Sequence, residues 1–186
     1  MDRRIQSLFA LLLVLASALF QLAPQAALAA EAEEINADVE AALKVLYAQV
    51  PGTSAMAEQA KGVLVFPNIV KAGFVVGAQY GQGALVQGGK IVGYYSIKAA
   101  SYGMQAGVQG FGYALFLMSD AAVASLSKMG GWELGVGPSI VIFDAGMAKN
   151  FTTRTAKDDV WATVFDQKGL MAGSGLQGSK ITKLDK

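Results

Sequence analysis

The spacing of apolar residues changes rhythm early in this chain. From Glu31 onward, Ile35, Val39, Leu43, Leu46, Tyr47 and Val50 recur at intervals of three and four, which makes one apolar stripe and predicts a helix over Glu31–Gln49. Glu31, Glu33 and Glu34 sit in its first turn, where negative charge suits the helix dipole, and Pro51-Gly52 ends it. A second, short helix follows over Ala55–Ala60 with Thr53 or Ser54 as its N-cap. The first helix is expected to pack its stripe onto a sheet and not to lie on a membrane, because its polar face is acidic and interfacial helices usually carry a basic one.

Beyond Lys61 the period shortens to two. Gly62–Phe66 is a continuous apolar run stopped by Pro67; Ala72, Phe74, Val76, Ala78 and Tyr80 alternate with Gly73, Val75, Gly77 and Gln79; Gly81-Gln82-Gly83 turns the chain. Gly88-Gly89, between Ala84–Gln87 and Lys90–Ile97, is a hairpin signal. Ser101–Gln109 alternates again, and after Gly110-Phe111-Gly112 the run Tyr113–Met118 is apolar on both faces, as a central strand should be. Ser119-Asp120 caps a short helix over Ala121–Lys128, closed by Gly130-Gly131. Trp132 to Ile142 gives a further strand kinked at Gly137-Pro138, and Asp144–Asp159 is polar, turn-rich and the candidate mobile loop. Val160–Phe165, a turn at Asp166-Gln167-Lys168-Gly169 and Leu170–Leu176 form a closing hairpin, before a polar, basic tail over Gly178–Lys186.

Glycine recurs two or four residues apart on strand faces, at Gly73 and Gly77, Gly103 and Gly107, Gly135 and Gly137. Such rows mark bends, bulges or close packing. The predicted fold class is therefore α+β and β-rich: a strongly curled antiparallel sheet or partly closed barrel, with two N-terminal helices and one short inserted helix.

The first 29 residues are set apart from this pattern. Arg3 and Arg4 precede an uncharged apolar run from Leu8 to Phe20, and Ala27-Leu28-Ala29 offers an A-x-A cleavage site, the layout of a signal peptide. The run is shorter than the ~20 residues a membrane span needs. Residues 1–29 are thus expected to be a cleaved leader, and 30–186 a single domain, periplasmic or secreted after cleavage near Ala29, with a peripheral place at a membrane left open. Without the leader, 13 basic and 13 acidic residues remain. A neutral chain has no global field to draw it to nucleic acid, and none is expected as a partner.

Composition narrows the chemistry. Apolar residues make up 53% of the chain, enough for a sizeable core, and there is neither histidine nor cysteine. That removes disulfides, Cys/His zinc sites, and thiol or imidazole catalysis. Gly173-Ser174-Gly175-Leu176-Gln177-Gly178 spells G-x-G-x-x-G but leaves no room for the βαβ unit that would give it meaning. Asp158-Asp159 is the only adjacent carboxylate pair beyond the first helix, and a solvated loop accounts for it. Neither an enzyme nor a cofactor or metal requirement is expected.

One combination of motifs is more specific. Val65-Phe66-Pro67-Asn68-Ile69-Val70-Lys71-Ala72-Gly73-Phe74 runs on into Gly77-Ala78-Gln79-Tyr80-Gly81-Gln82-Gly83-Ala84-Leu85. Gly93-Tyr94-Tyr95-Ser96, Ala100-Ser101-Tyr102-Gly103-Met104-Gln105-Ala106-Gly107, Gly169-Leu170 and Gly178-Ser179-Lys180-Ile181 extend the match. In these residues the chain resembles the bacterial SYLF-domain family from about Ala41 onward. The resemblance implies a lipid-binding domain: eukaryotic members bind phosphoinositides and some bind actin, and bacterial members are secreted or envelope-associated. A periplasm offers neither actin nor, ordinarily, phosphoinositides, so only lipid binding as a class carries over, without any binding residue.

The resulting expectation is a non-enzymatic periplasmic domain that binds anionic phospholipid at the cell envelope. The alternatives are a structural or protein-interaction module of the envelope without lipid affinity and, more distantly, a small outer-membrane β-barrel. Partners are expected to be an anionic phospholipid or membrane surface and, in the second case, an envelope protein; the oligomeric state stays open. The candidate lipid-binding residues are Lys61, Lys71, Lys90, Tyr94 and Lys98: amines to pair with phosphate, and an aromatic ring with a polar tip for the headgroup boundary. Lys180, Lys183 and Lys186 are the next place to look.

Overall fold

In the computed structural model, Gln87 pairs with Lys90 across the expected turn at Gly88-Gly89, and two very long strands run back from it, β1 (Gly62–Gln87) and β2 (Lys90–Leu117). The structure describes residues 28, 30–128, 130–134, 138–143, 158–173 and 176–186, without the side chains of 103–105, 170–173 and 176–178. The expected leader apart from Leu28, positions 144–157 of the expected loop, and Gly135 and Gly137 lie outside the described residues.

A straight strand of 26 residues spans about 85 Å at ~3.3 Å per residue. A domain of this size has a radius of gyration of only about 15 Å. The strand must double over, and it does so at Val75, which takes a left-handed φ of 63° at a register shift between Phe74 and Val76. The two arms then stack face to face. A Cβ placed on Gly73 would lie 2.4 Å from Gly77 Cα, one on Gly81 2.8 Å from Ile69 Cγ1, and one on Gly83 1.9 Å from Val65 O. Residues 73, 81 and 83 are glycine because a second layer of backbone occupies the space of a side chain. β2 rounds the same corner, with residues 103–105 opposite the single Val75.

The other edge of β2 is covered by β5 (Val160–Gly173) along Gln105–Leu117 and then by β6 (Leu176–Leu184) along Tyr94–Tyr102. Two short strands complete the sheet: β3 (Trp132–Glu133) pairs with β6, and β4 (Ile140–Ile142) runs parallel to β5, the one parallel pairing among the described residues. The architecture is α+β, β-rich and strongly curled, as the pattern predicts.

Several predicted breaks are continuous strand. Pro67, Gly81-Gln82-Gly83 and Gly110-Phe111-Gly112 all lie inside β1 or β2; Pro67 and the last of these fall at register shifts. The supposed turn at Asp166–Gly169 is a bulge within β5. There Phe165 pairs with Gly112 and Lys168 with Gly110, and Asp166 and Gly169 take φ of 49° and 89°. The tail is β6, and Trp132 to Ile142 is split between β3 and β4.

Two apolar clusters hold the sheet. On one face, α1 (residues 30–49) lays Val39 and Leu46, with Val50 just after it, over Val65, Phe116 and Trp161, joined by Met56 from α2 (Thr53–Gln59). Phe143 rests between the rings of Phe116 and Trp161, its centroid 6.0 and 5.9 Å from theirs. Tyr47, assigned to the stripe, is 37% exposed at its rim. Thr53 is no N-cap: it is the first residue of α2, buried, with its hydroxyl donating to Val50 O at 2.6 Å, and Gly52 caps instead. On the other face Leu64, Phe66, Ile97, Leu115, Trp132 and Ile181 form the second cluster. Strand segments buried on both faces, such as 62–66 and 114–117, therefore show unbroken apolar runs.

Asp159 has a structural role as well. Though solvent-accessible, its carboxylate accepts from Ser119 Oγ at 2.7 Å and from Ser139 N at 3.2 Å. Ser119 is in turn the N-cap of α3 (Asp120–Ser125), accepting from Ala122 N. One side chain thus ties α3, the residue before β4 and the start of β5 together. The hydroxyl of Ser119 and then the amide of Ser139 hold its carboxyl below the usual carboxylate range.

By compactness the described residues through Glu34 group with Lys186, whose Nζ pairs with Glu31 Oε2 at 2.7 Å; those from Ile35 to Asp185 form the second unit, which contains the sheet.

Candidate functional site

At the corner around Val75 the strands stop burying their apolar side chains. Phe74 is 79% exposed, Tyr102 68% and Val76 62%, and the register sets Val76 across from Tyr102 and Phe74 across from Ala106. Val70, Val75, Tyr80 and Val108 add to the patch. The alternation places these residues outside because the inward positions, Gly73, Gly77 and Gly81, face the other arm at backbone distance. Among the described residues, the exposed large apolar side chains concentrate here. Lys98, paired in register with Tyr80, holds its Nζ 5.9 Å from the Tyr80 ring centroid, and Gln82 Nε2 donates to the Tyr80 hydroxyl at 2.7 Å.

Between the two arms, next to this corner, lies a cavity of about 240 Å³. Lys71 and Gln79 line it from four residues either side of Val75, and the pairings Lys71–Gln109 and Gln79–Ala99–Ser179 bring Gln109 and Ser179 to it. The β5 bulge adds Gln167, and Phe111, Tyr113 and Val164 supply apolar wall. Leu134 and Ile142 line it from beside β3 and from β4. Among the described residues no carboxylate lines the cavity; Asp166, next to Gln167, is paired with Lys168 at 2.8 Å. Burial pushes the Tyr113 hydroxyl up to about 12, so it stays a neutral phenol at ordinary pH.

Gln79 is the anomaly of this site. It is 7% exposed, and its Oε1 is buried without a hydrogen-bond partner. Leaving such an acceptor unsatisfied costs about 1–3 kcal/mol, and native folds keep few of them.

The residues proposed from sequence do not make one patch. Lys71 and Lys98 are near the corner, Lys71 on the cavity wall. Lys61 and Lys90 are at the far end of the ribbon, where Gln87 pairs with Lys90 and donates to Lys61 O at 2.8 Å. Each is about 45 Å of strand from Val75 at ~3.3 Å per residue. Tyr94 is half-buried against the first cluster and donates to Asn36 Oδ1 of α1 at 3.0 Å, away from any headgroup boundary at the corner. Sequence reasoning missed Phe74 and Tyr102 as surface groups and Gln79, Gln109, Gln167 and Ser179 as cavity groups. The available signal was glutamine among glycines in a strand: Gln79 shares its face with Gly73, Gly77 and Gly81.

The fold is a β-rich domain: a doubled-over ribbon headed by two helices, with β5 and β6 paired along the other edge of β2. Residues 98–186 match the family model of Ysc84, described as "Las17-binding protein actin regulator". Over that stretch the chain is similar to the SYLF-domain family, a family associated with lipid binding and actin regulation. The matched stretch holds β6, β5 and most of β2; the motif over Val65–Leu85 lies ahead of it. No curated protein matches the chain.

Proposed function

We propose that this protein is a non-enzymatic domain of the bacterial cell envelope that attaches to membranes containing anionic phospholipid, and that it does so by the corner around Val75. The observation that carries this reading is the exposed set Phe74, Val76 and Tyr102 with Lys71 and Lys98 close behind it. Fully burying a valine or phenylalanine side chain is worth about 1.5–3 kcal/mol, whereas each lysine at an anionic surface contributes ~1 kcal/mol. Three apolar side chains therefore outweigh two lysines, and a neutral protein needs no global field to bind. The periplasmic location rests on the leader over residues 1–29. Among the described residues no helix is long and apolar enough to cross a membrane. Against the barrel alternative stands the placement of the apolar strand faces, which form inward clusters where an outer-membrane barrel turns them to lipid.

The test is sedimentation of the leader-free protein with vesicles of neutral lipid, or of neutral lipid with an anionic one, at two salt concentrations. Binding that weakens modestly with salt, that falls at least tenfold in Phe74→Ser/Val76→Ser, and that is unchanged in Lys61→Gln/Lys90→Gln is the expected result. Equal binding by the corner variant would refute the assignment.

A second reading has one observation in its favour: the family's description names a protein-binding member. The corner would then dock an envelope protein, and the chain would bind neither vesicle.

A further inference from the structure

The corner explains attachment but not selectivity, and the cavity beside it remains without a role. We infer that this cavity receives a phosphate ester carrying a free hydroxyl, the head group of an anionic lipid such as a phosphatidylglycerol, with Gln79 accepting the hydroxyl's hydrogen bond. The inference rests on the membrane reading above and deepens it.

The lining selects the chemistry. Lys71, the amides of Gln109 and Gln167, and the hydroxyls of Ser179 and Tyr113 can all donate hydrogen bonds. A surface rich in donors and, among the described residues, free of carboxylates suits phosphate oxygens and disfavours a cationic head such as choline, which calls for carboxylates or an aromatic cage. The acceptor that stands out is Gln79 Oε1, buried and without a partner. A ligand that is only a phosphate leaves it so; one with an additional O–H satisfies it.

Size and position agree. A cavity of about 240 Å³ corresponds to roughly eight water volumes at ~30 Å³ each, room for a glycerol-sized head and not for acyl chains as well. Lys71 and Gln79 both lie four residues from Val75, so a head held there leaves its chains beside the apolar corner, the part of the domain proposed to enter the bilayer.

The experiment compares vesicles of phosphatidylcholine mixed with equal fractions of phosphatidylglycerol or phosphatidylmethanol, which match in charge and differ in the head-group hydroxyls. The parent is expected to bind the phosphatidylglycerol vesicles about three- to tenfold more tightly, the worth of one hydrogen bond. Gln79→Met, which keeps the volume and removes the orphan acceptor, is expected to bind both at the phosphatidylmethanol level and to melt no lower than the parent. Side-chain amide resonances of the parent's glutamines, followed by NMR during titration with glycerol 3-phosphate or methyl phosphate, give a readout that needs neither variant nor membrane. Perturbation by glycerol 3-phosphate alone supports the cavity's ligand. If that perturbation occurs while no vesicle binds, the ligand is a free phosphate ester and the membrane reading fails alone. Equal binding of both vesicle types by the parent, with no perturbed glutamine amide, overturns the cavity assignment and leaves the corner standing. A lipid preference undiminished in a folded Gln79→Met would also overturn it.

Discussion

Phe66 and Phe74 occupy the same strand eight residues apart, and they have opposite fates. Phe66 is fully buried between the sheet and the second apolar cluster, whereas Phe74 is 79% exposed at the corner. Phe66 ends a continuous apolar run, whereas Phe74 lies in one that alternates with glycine, a pattern that does not say which of its faces is covered. The difference lies in what covers each. At the helix end, α1, α2, α3 and the strands beside β5 and β6 supply a partner for each face of the sheet. At the corner, among the described residues, the layer that faces the strand is its own other arm. It arrives so close that no side chain fits at Gly73 or Gly81, and the larger apolar side chains of the neighbouring positions turn outward. A strand that doubles on itself thus has a conventional core at one end and an inverted one at the other.

The comparison can be broken in graded ways. Phe66→Ala should be the most damaging change, costing about 3–5 kcal/mol, a large part of a typical domain's ~5–15 kcal/mol; a chemical-denaturation midpoint unchanged from the parent would remove Phe66 from the core. Gly83→Ala comes next. Its new methyl would meet Val65 O, a backbone atom that cannot swing aside, and overpacking of this kind costs about 1–3 kcal/mol. A neutral effect would mean that the two arms are not stacked as described.

Asp159→Asn probes the buried end through pH. Because the folded carboxyl is held below its ordinary value by Ser119 and then Ser139, its contribution is present above the unfolded value of about 3.9. It is lost as pH falls through the depressed folded one. Thermal melts should show a gap between parent and variant that is constant from neutral pH to about 5 and closes in acid; a gap that persists at low pH would assign the loss to geometry and not to charge.

The smallest effect on stability is expected at the corner. Phe74→Ser should melt within about 0.5 kcal/mol of the parent, as exposed substitutions do, while losing vesicle binding. If it destabilises as Phe66→Ala does, the corner is covered in the folded protein and the two ends are not different after all.

Much of this fold was legible in the residue pattern. The stripe of Ile35, Val39 and Leu46, the turn at Gly88-Gly89, the Ser119 cap and the continuous runs at 62–66 and 113–118 are local signals, set by periodicity, backbone freedom and side-chain hydrogen bonding within a few residues. They located the helices, the hairpin and the core. The lysines were legible as charges but not as a group, since which of them share an end depends on where β1 doubles over. Only the tertiary structure decided what the remaining glycines and Pro67 are for. The same residues that stop a strand also permit a bulge or the passage of another backbone, and at Gly81 and Gly83 it is the facing arm of β1, far along the chain, that selects the second use. Likewise alternation separates Phe74 and Val76 from Gln79, but which of those faces turns inward was settled by a neighbouring layer that leaves room for no side chain at Gly73 and Gly81 and opens into the cavity at Gln79, so that a polar amide lies inside and the apolar rings in the open.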